Sequence, residues 1–388
     1  MKDVFIVEAR RTAVGKFCGM YSMIPVHELG GKIIRSCYSS KIDATYVEAV
    51  IMGQVLTGLN GQNPARIAAK NAGLPNETIA TTINQVCGSG LYSIMLADNL
   101  IRYDINNVII AGGQENMTRA PIATNLRKQK YLMGDINFSD TMIVDGLTDA
   151  FTGQHMGYIT ESIAHKYEIT REMQDEFAVN SQSKASAAQK ANSFEEEIIA
   201  VEYKDIILEE DEFIRHDIEL EKIAKLKSAF KPDGTITAGN SSGINDGAAA
   251  TLLMNEDMMN KNDLKPLARI ISHVAIGLDP AFMGLGPIKA INIAVEKANW
   301  SLNDVDAFEI NEAFAAQSIA VINELQIDQT KVNMHGGAIA LGHPIGASGA
   351  RCLVTLIYIM KQRKLKKGVV SLCVGGGMGV AMCIEMDN

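Results

Sequence analysis

The stretch Val47-Glu48-Ala49-Val50-Ile51-Met52-Gly53-Gln54 occurs a second time, in altered form, as Val305-Asp306-Ala307-Phe308-Glu309-Ile310-Asn311-Glu312. Each copy has the pattern of a short strand, and a helical pattern follows it, over 65–72 and 313–325. Gly88-Ser89-Gly90 likewise resembles Ala347-Ser348-Gly349. Ser89 lies 42 residues after Val47, and Ser348 lies 43 residues after Val305. The matched spacing indicates a duplication.

Each Ser-Gly pair opens a helical run that leads into a β run, over 108–111 and 369–374. Strands that alternate with helices in this way predict right-handed crossovers and a mostly parallel sheet. We therefore predict an α/β protein of two halves packed as a layered pseudo-dimer. In the second half, 369–374 passes almost directly to 380–385, as in a hairpin, whereas the matching strand of the first half is 248–255. The predicted divisions are 1–116 with 246–265, an inserted loop domain at 117–245, and 266–388.

Composition sets the class of protein. The 388 residues are 47% hydrophobic and 21% charged, which is typical of a globular chain with a large core. The net charge of −9 without a basic block argues against non-specific nucleic-acid binding. The start of the chain has no signal-peptide pattern, and the apolar runs are too short or too glycine-rich to span a bilayer. Six cysteines without a C-x-x-C pair predict free thiols in a reducing compartment, hence a soluble cytoplasmic protein.

The sharpest chemical motif is Asn84-Gln85-Val86-Cys87-Gly88-Ser89-Gly90. Cys87 follows a β-like segment and precedes a helical one. The unpaired N–H groups and the dipole of a helix N-terminus stabilise a thiolate there, and the glycines let the backbone expose the sulfur. The same pattern also suits a small buried cysteine that fills a helix–sheet contact.

The duplicate of this turn carries a histidine, in Gly342-His343-Pro344-Ile345-Gly346-Ala347-Ser348-Gly349. If the halves pack about a pseudo-twofold axis, His343 approaches Cys87, and a Cys–His pair readily generates a thiolate nucleophile. Cys373-Val374-Gly375-Gly376-Gly377 ends the last parallel strand, where α/β sheets place functional groups. Cys373 there suits a general acid or base, and Gly375 offers an N–H group. A histidine that caps a turn and a cysteine in a strand core are the structural alternatives.

Other candidates carry weaker signals. Asn311 ends a strand and either caps the next helix or holds a water that donates to an oxyanion. His155-Met156-Gly157 lies in the insertion, which also carries a helical stretch at 170–191. The histidines and cysteines lack zinc-ligand spacing, so no metal ion is predicted. A basic run in the insertion can attract a polyanion; it comprises Arg215, Lys222, Lys225, Lys227 and Lys231.

Together and in this order, these turns resemble the thiolase family. The resemblance covers essentially the whole chain, and it rests on 11–15, 84–90, 112–117, 238–243, 246–248, 311–315, 342–351 and 373–379. It implies the thiolase fold, with two duplicated βαβαβαββ halves and an inserted loop domain. It also implies acyl transfer, with coenzyme A and acetyl-CoA as substrates and no permanently bound cofactor. A homo-oligomer is expected, a dimer or a dimer of dimers (a homotetramer), with no nucleic-acid or membrane partner.

The resemblance also assigns roles. Cys87 is expected to take the acyl group as a thioester, His343 to activate it, and Cys373 to move the proton of the α-carbon. His343 with a water on Asn311 forms one oxyanion site, and the N–H groups of Cys87 and Gly375 form the other. A covalent intermediate predicts ping-pong kinetics. The expected coenzyme A positions are Leu147, His155, Met156, Phe230, Ala313 and Phe314 along the pantetheine, with Ser242, Met283 and, near the adenine and phosphates, Arg215.

Met156 favours a short-chain enzyme of fatty acid metabolism that converts two acetyl-CoA to acetoacetyl-CoA and coenzyme A, because a bulky methionine shortens the acyl pocket. The alternatives are a degradative 3-ketoacyl-CoA thiolase of longer chain preference, a ketoacyl synthase, and an acyl-CoA binding module without chemistry. Cys373 argues against the synthase, which uses no second cysteine. Lys222 and Leu285 depart from the family pattern. If Cys87 and Cys373 converge, an oxidant could join them and stop catalysis.

Overall fold

The computed structural model describes residues 1–125, 135–204 and 206–386. Its helices are α1 (Val26–Tyr38), α2 (Pro64–Asn71), α3 (Ser89–Arg102), α4 (Met156–Lys166), α5 (Arg171–Lys190), α6 (Leu220–Ile223), α7 (Glu256–Lys261), α8 (Gly286–Lys297), α9 (Ala315–Leu325), α10 (Ala338–Leu341) and α11 (Ser348–Arg363). Its strands are β1 (Val4–Thr12), β2 (Gly15–Lys16), β3 (Ala49–Gly53), β4 (Ile79–Ile83), β5 (Val108–Asn116), β6 (Ile122–Ala123), β7 (Ser139–Asp140), β8 (Ile198–Ile199), β9 (Val201–Tyr203), β10 (Ile206–Leu208), β11 (Asn245–Asn255), β12 (Ala268–Gly277), β13 (Ala307–Ile310), β14 (Lys367–Val374) and β15 (Met378–Glu385).

The strands of both halves join in one sheet of order β13-β14-β15-β12-β1-β11-β5-β3-β4. The halves meet where Phe5 and Ile6 of β1 pair with Arg269 and Ala268 of β12. Only β3 with β4, β3 with β5, and β13 with β14 run parallel along this order. The prediction of a mostly parallel sheet is therefore wrong. Strands β11 and β15 return antiparallel beside β5 and β14, because they follow an insertion and a hairpin instead of a crossover helix.

Each sheet region is covered on both faces. In β5, Ile109 packs in a cluster with α3 and α11, whereas Ile110 packs in a second cluster with α1 and α2. In β14, Val370 belongs to the first cluster and Val369 to a third, with α8 and α9. Successive side chains of a strand point to opposite faces. Helices α3 and α11 therefore lie between the part of the sheet around β5 and the part around β14, whereas α1, α2, α8 and α9 lie on the outer faces. The result is the layered, duplicated arrangement.

The two central helices approach each other reciprocally. They begin at Ser89 and Ser348, as the repeated Ser-Gly pattern predicts. A Cβ on Gly90 would lie 2.8 Å from the Ala350 nitrogen, and a Cβ on Gly349 would lie 2.4 Å from the Leu91 nitrogen. Glycine at both positions therefore allows the N-termini of α3 and α11 to meet, and this brings the two functional turns together.

The insertion leaves the sheet after β5 and returns in β11, which pairs antiparallel from Asp246–Asn116 to Met254–Val108. The predicted helical stretch forms α5, which Thr170 caps by accepting the N–H of Met173. The division into separate domains stays a prediction, but the insertion is tied to the sheet, because β8 pairs with β1. In the part of the chain that the structure describes, every helix is too short or too polar to cross a membrane.

Candidate active site

A cavity of about 640 Å³ receives side chains from both halves and from the insertion. Cys87 comes from the turn before α3, and His343 comes from the turn before α11. Cys373 and Gly375 lie at the end of β14. All the predicted coenzyme A positions also line this cavity; they are Leu147, His155, Met156, Arg215, Phe230, Ser242, Met283, Ala313 and Phe314. Asn311 does not reach the wall and lies fully buried behind His343.

Cys87 lies on a tight elbow between β4 and α3. Val86 before it has a φ of 47°, which is a strained backbone conformation for a β-branched residue. The Val86 N–H donates to Asn84 Oδ1 at 2.9 Å. Ser89 Oγ accepts the Gln85 N–H and donates to the Val86 carbonyl oxygen, both at 2.7 Å. These bonds fix the strained elbow and hold Cys87 at the head of α3.

The Cys87 thiol is neutral at rest. Burial raises its pKa to about 11, and the charge of Glu115 adds to this, whereas the N–H groups of Gly375 and Cys87 itself act in the opposite direction. Burial therefore outweighs the helix N-terminus that the sequence suggested would stabilise a thiolate. The N–H of Gly375 nevertheless points at the sulfur, so a donor is already in place where charge develops during attack.

His343 is held in one tautomer. Its Nδ1 lies 2.5 Å from Ser348 Oγ, and that hydroxyl donates to the Pro344 carbonyl oxygen at 2.8 Å. The Asn311 NH₂ group, which can only donate, lies 3.4 Å from Nε2, so Nε2 is the unprotonated, basic nitrogen and Nδ1 carries the proton that Ser348 Oγ accepts. Burial, followed by the charge of Arg351, lowers the pKa of His343 to about 3. The imidazole is therefore neutral at rest, like the thiol.

Asn311 faces the free nitrogen of this imidazole. Its Nδ2 lies 3.4 Å from His343 Nε2, and its Oδ1 accepts from Cys352 Sγ at 3.8 Å. Cys352 in turn accepts from Arg351 Nη2 at 2.9 Å. This chain of contacts orients the Asn311 amide with its N–H groups toward His343.

Cys373 lies beside Cys87. Burial raises the pKa of Cys373 well above its usual range, and the charge of a Cys87 thiolate raises it further. The two thiols therefore interact electrostatically, and a negative charge on one disfavours ionisation of the other. All six cysteines of the chain are free.

An aromatic wall lines the cavity on the side of the insertion. The rings of His155 and Phe230 stack with centroids 4.6 Å apart, and Phe230 meets Phe314 edge to face at 6.2 Å. His155 Nδ1 accepts the N–H of Gly157, which fixes the first turn of α4. Met156 Sδ lies 3.6 Å from where a Cβ on Gly375 would be, so the methionine narrows the space near Cys87 and Cys373.

Of the five residues of the basic run, Arg215 is the one that lines the cavity. Its guanidinium lies over the ring of Phe213 at 5.5 Å. Lys222 pairs with Glu219 at 3.1 Å, is 65% exposed and does not line the cavity. Lys16 lines it from the first half, and no sequence pattern singled it out. Within the described ranges, no three or more histidine, cysteine or acidic side chains are grouped as metal ligands.

The chain matches two family models, "Thiolase, N-terminal domain" over residues 4–257 and "Thiolase, C-terminal domain" over residues 264–386. The chain belongs to the thiolase family. Acetyl-CoA acetyltransferase of Rhizobium meliloti (strain 1021) is 52% identical to this thiolase over 388 residues, which cover 99% of this chain and 98% of the relative. That of Paracoccus denitrificans is 50% identical over 390 residues, with 99% and 100% covered.

A crystal structure confirms the fold of this thiolase. The Bacillus anthracis acetyl-CoA acetyltransferase matches it with a TM-score of 0.97 at 40% identity, covering 100% of this chain and 99% of the other. The predicted thiolase fold of two duplicated halves is therefore correct over the whole length.

Besides Lys16, two polar residues of this site are not predicted by the sequence. Ser348 belongs to the repeated Ser-Gly pattern, but that pattern does not mark it as the partner of His343 five residues earlier. Glu115 was noticed only within the Gly112–Met117 motif, yet its carboxylate accepts the N–H of Gly346 in the His343 turn. An acidic residue that continues an apolar β run is a signal that could have marked Glu115, which lies buried near the end of β5.

Proposed function

We propose that this thiolase is an acetyl-CoA C-acetyltransferase that joins two acetyl-CoA molecules into acetoacetyl-CoA and coenzyme A, reversibly. The observation that carries this proposal is the meeting of Cys87, His343 and Cys373 on one cavity. The names of the relatives that are about half identical over their full length support it. Coenzyme A and acetyl-CoA are substrates in this proposal, and no cofactor is permanently bound.

The first half-reaction uses the neutral Cys–His pair. Cys87 Sγ attacks the thioester carbonyl while its proton moves to His343 Nε2, which Ser348 leaves free as a base. The N–H groups of Cys87 and Gly375 receive the charge that develops on the carbonyl oxygen. Coenzyme A leaves as a thiolate and takes a proton from Cys373. The products are acetyl-Cys87, imidazolium and a Cys373 thiolate.

The second half-reaction uses that thiolate. Cys373 removes a proton from the methyl group of a second acetyl-CoA, and the enolate oxygen is stabilised by imidazolium His343. The predicted water on Asn311 would have to reach that oxygen past His343, because Asn311 is fully buried and does not line the cavity. The carbanion attacks the acetyl group on Cys87. The Cys87 thiolate that leaves regains its proton from His343. Every proton is returned, so the enzyme ends as it began and the kinetics are ping-pong.

Acyl-chain preference follows from the space beside Gly375. Met156 occupies that space, and the aromatic pair His155 and Phe230 closes the neighbouring wall. A two-carbon acyl group fits beside them, whereas a long chain needs the methionine to move. This favours acetoacetyl-CoA over the alternative, a degradative enzyme for longer 3-ketoacyl-CoA.

The polyanionic end of coenzyme A requires positive charge on a protein whose net charge is −9. Lys16 and Arg215 line the cavity from different segments. We place the phosphates and the adenine near them, with the pantetheine along the aromatic wall. The free cysteines support the predicted cytoplasmic location, because thiols persist in a reducing compartment.

A homo-oligomer is supported by the open edge of the sheet. Strand β4 pairs with β3 and ends the strand order. Beside it, Ile79, Tyr103 and Ile105 are 66%, 64% and 67% exposed. An unpaired edge next to apolar side chains suits pairing with the same strand of a second copy. Light scattering of the purified chain distinguishes a dimer or tetramer from a monomer.

A thiolysis assay tests the proposed function. Acetoacetyl-CoA with coenzyme A is compared with a longer 3-ketoacyl-CoA, using the wild type and Cys87→Ala. Activity on acetoacetyl-CoA that disappears in the variant supports the proposal. Activity on the longer substrate alone favours the degradative enzyme, and inactivity on both favours a binding module. Cys383→Ala is the control, because Cys383 is a buried thiol of the β12–β15 region and does not line the cavity.

A further inference from the structure

The turn that carries His343 packs tightly against the first half of the molecule. A Cβ on Gly113 would lie 2.0 Å from the Gly346 carbonyl oxygen, and a Cβ on Gly53 would lie 2.8 Å from it. Gly113 lies within β5, and Gly53 ends β3 beside Ser89, next to the Cys87 elbow. The position of the catalytic histidine is therefore set by groups of the other half.

Glu115 supplies the most central of these groups. Its Oε2 accepts the Gly346 N–H at 3.0 Å and the Val55 N–H at 2.9 Å, and its Oε1 accepts the Leu56 N–H at 3.2 Å. The carboxylate has no exposed surface. It joins the loop after β3 in the first half to the His343 turn in the second half. A Cβ on Gly346 would lie 2.6 Å from Oε2, so this turn requires glycine for the carboxylate to approach.

A second side chain of the first half holds the other end of the turn. Asn245 Oδ1 accepts the His343 N–H at 3.0 Å, and Asn245 Nδ2 donates to the Gly15 carbonyl oxygen at 3.0 Å. Asn245 thus fixes the backbone at His343 itself, and Glu115 fixes it three residues later. Between them, these two side chains fix the backbone of the turn that carries the imidazole.

We propose that Glu115 is a positioning residue for His343, acting through the Gly346 N–H, and that its ionised form is required. This rests on the proposed function for its effect on catalysis, but not for its effect on the turn. Only a carboxylate accepts all three N–H groups, because the NH₂ of a glutamine cannot accept and a protonated acid turns one oxygen into a donor. A misplacement of about 1 Å at a catalytic group costs on the order of 100-fold in rate.

The surroundings of Glu115 bring its titration near neutral pH. Burial, with a smaller contribution from the charge of Asp246 on β11, raises the pKa of Glu115 to about 7 against the three N–H groups. Cys87 on the elbow also faces it, and burial keeps that thiol uncharged near pH 7. Burial raises the pKa of Asp246 as well, to about 6, so Asp246 takes up its proton at lower pH than Glu115. Below about pH 7 the protonated acid leaves one N–H without an acceptor, and the turn loosens.

The test compares Glu115→Gln and Glu115→Asp with Glu48→Gln. Glu48 lies just before the opposite end of β3 and accepts the Asn107 N–H and two side-chain amides, far from the turn. We expect kcat for thiolysis to fall about 10- to 100-fold in Glu115→Gln, with KM for acetoacetyl-CoA within about threefold of wild type. The fall of wild-type kcat on the acid side near pH 7 should be absent from Glu115→Gln. Glu48→Gln should keep wild-type kcat and the same acid limb.

Hydrogen exchange of the peptide that spans 342–347 supplies the readout that does not depend on activity. It should rise at least about tenfold in Glu115→Gln, less in Glu115→Asp, and not in Glu48→Gln. Unchanged exchange, or an unchanged acid limb of kcat, would overturn the proposal. If the wild type lacks thiolysis while exchange rises in Glu115→Gln, the proposed function fails but the positioning of the turn stands.

Discussion

Ser348 Oγ lies 2.5 Å from Nδ1 of His343 and donates a hydrogen bond to the Pro344 carbonyl oxygen, 2.8 Å away. The first turn of α11 therefore decides which nitrogen of the imidazole is basic. Neutral His343 carries an unprotonated Nε2, which Asn311 Nδ2 faces at 3.4 Å, and neutral Cys87 carries a thiol. In the proposed mechanism, the pair exchanges a proton only when an acyl group is attacked.

Ser348→Ala removes the acceptor that fixes this tautomer. We expect kcat to fall about 10- to 100-fold with little change in KM, because the histidine then spends time with Nε2 protonated and cannot act as a base. Steady-state thiolysis measures both constants. Ser272→Ala is the matched control, since Ser272 is also buried and donates to the Ala294 carbonyl oxygen away from the cavity. Equal losses in the two variants would contradict the role of Ser348.

Met156→Ala enlarges the space beside Gly375. We expect the ratio of kcat/KM for a six-carbon 3-ketoacyl-CoA to that for acetoacetyl-CoA to rise about tenfold, which is the range that one to a few methylenes are worth in an apolar pocket. The ratio serves as its own control, because a general loss of activity leaves it unchanged. A ratio equal to that of the wild type would show that Met156 does not set the acyl-chain preference.

Acid sensitivity follows from His343. Its pKa is lowered from 6.5 to about 3 in the folded protein, so below pH 6.5 the unfolded chain binds a proton that the folded chain does not. Stability is therefore full above pH 6.5 and is lost as the pH falls. Between pH 7 and pH 5, we expect the wild type to lose about 2 kcal/mol more unfolding free energy than His343→Asn. Urea unfolding at fixed protein concentration measures this; parallel losses would contradict it.

Gly113→Ala tests the contact between the halves. The new Cβ would lie 2.0 Å from the Gly346 carbonyl oxygen. Because that oxygen belongs to the backbone, moving it away costs free energy. We expect a loss of about 2–3 kcal/mol of unfolding free energy together with a loss of activity. Gly277→Ala should be neutral, because nothing lies within 4 Å of its Cβ position. A stable, active Gly113→Ala would show that the His343 turn can move without cost.

The repeated pattern predicted where the central helices begin and that Cys87 and His343 meet, because a duplicated strand–turn–helix places equivalent turns at one pseudo-twofold axis. It did not predict the antiparallel neighbours of β5 and β14. The β run that predicts a strand does not specify which neighbour it pairs with, and β11 returns only after the long insertion.

Contacts distant in sequence explain what else was missed. Glu115 and Gly346 are 231 residues apart, and no local pattern marks the carboxylate as a partner of that turn. The sequence also does not show how strongly burial changes the pKa of Cys87. The motif around Cys87 suggested a stabilised thiolate, whereas the structure buries the sulfur enough to raise its pKa instead. A motif shows which chemistry is available, and packing sets the charge state at rest.

The most direct measurement is the acyl-enzyme itself. The protein is mixed with acetyl-CoA alone, quenched in acid within a single turnover and mapped by mass spectrometry. We predict one acetyl group, on the peptide that carries Cys87, with one coenzyme A released for each acetyl group bound, and its transfer to a second acetyl-CoA. Acetoacetyl-CoA formed at full rate without acetyl-Cys87 would contradict the account.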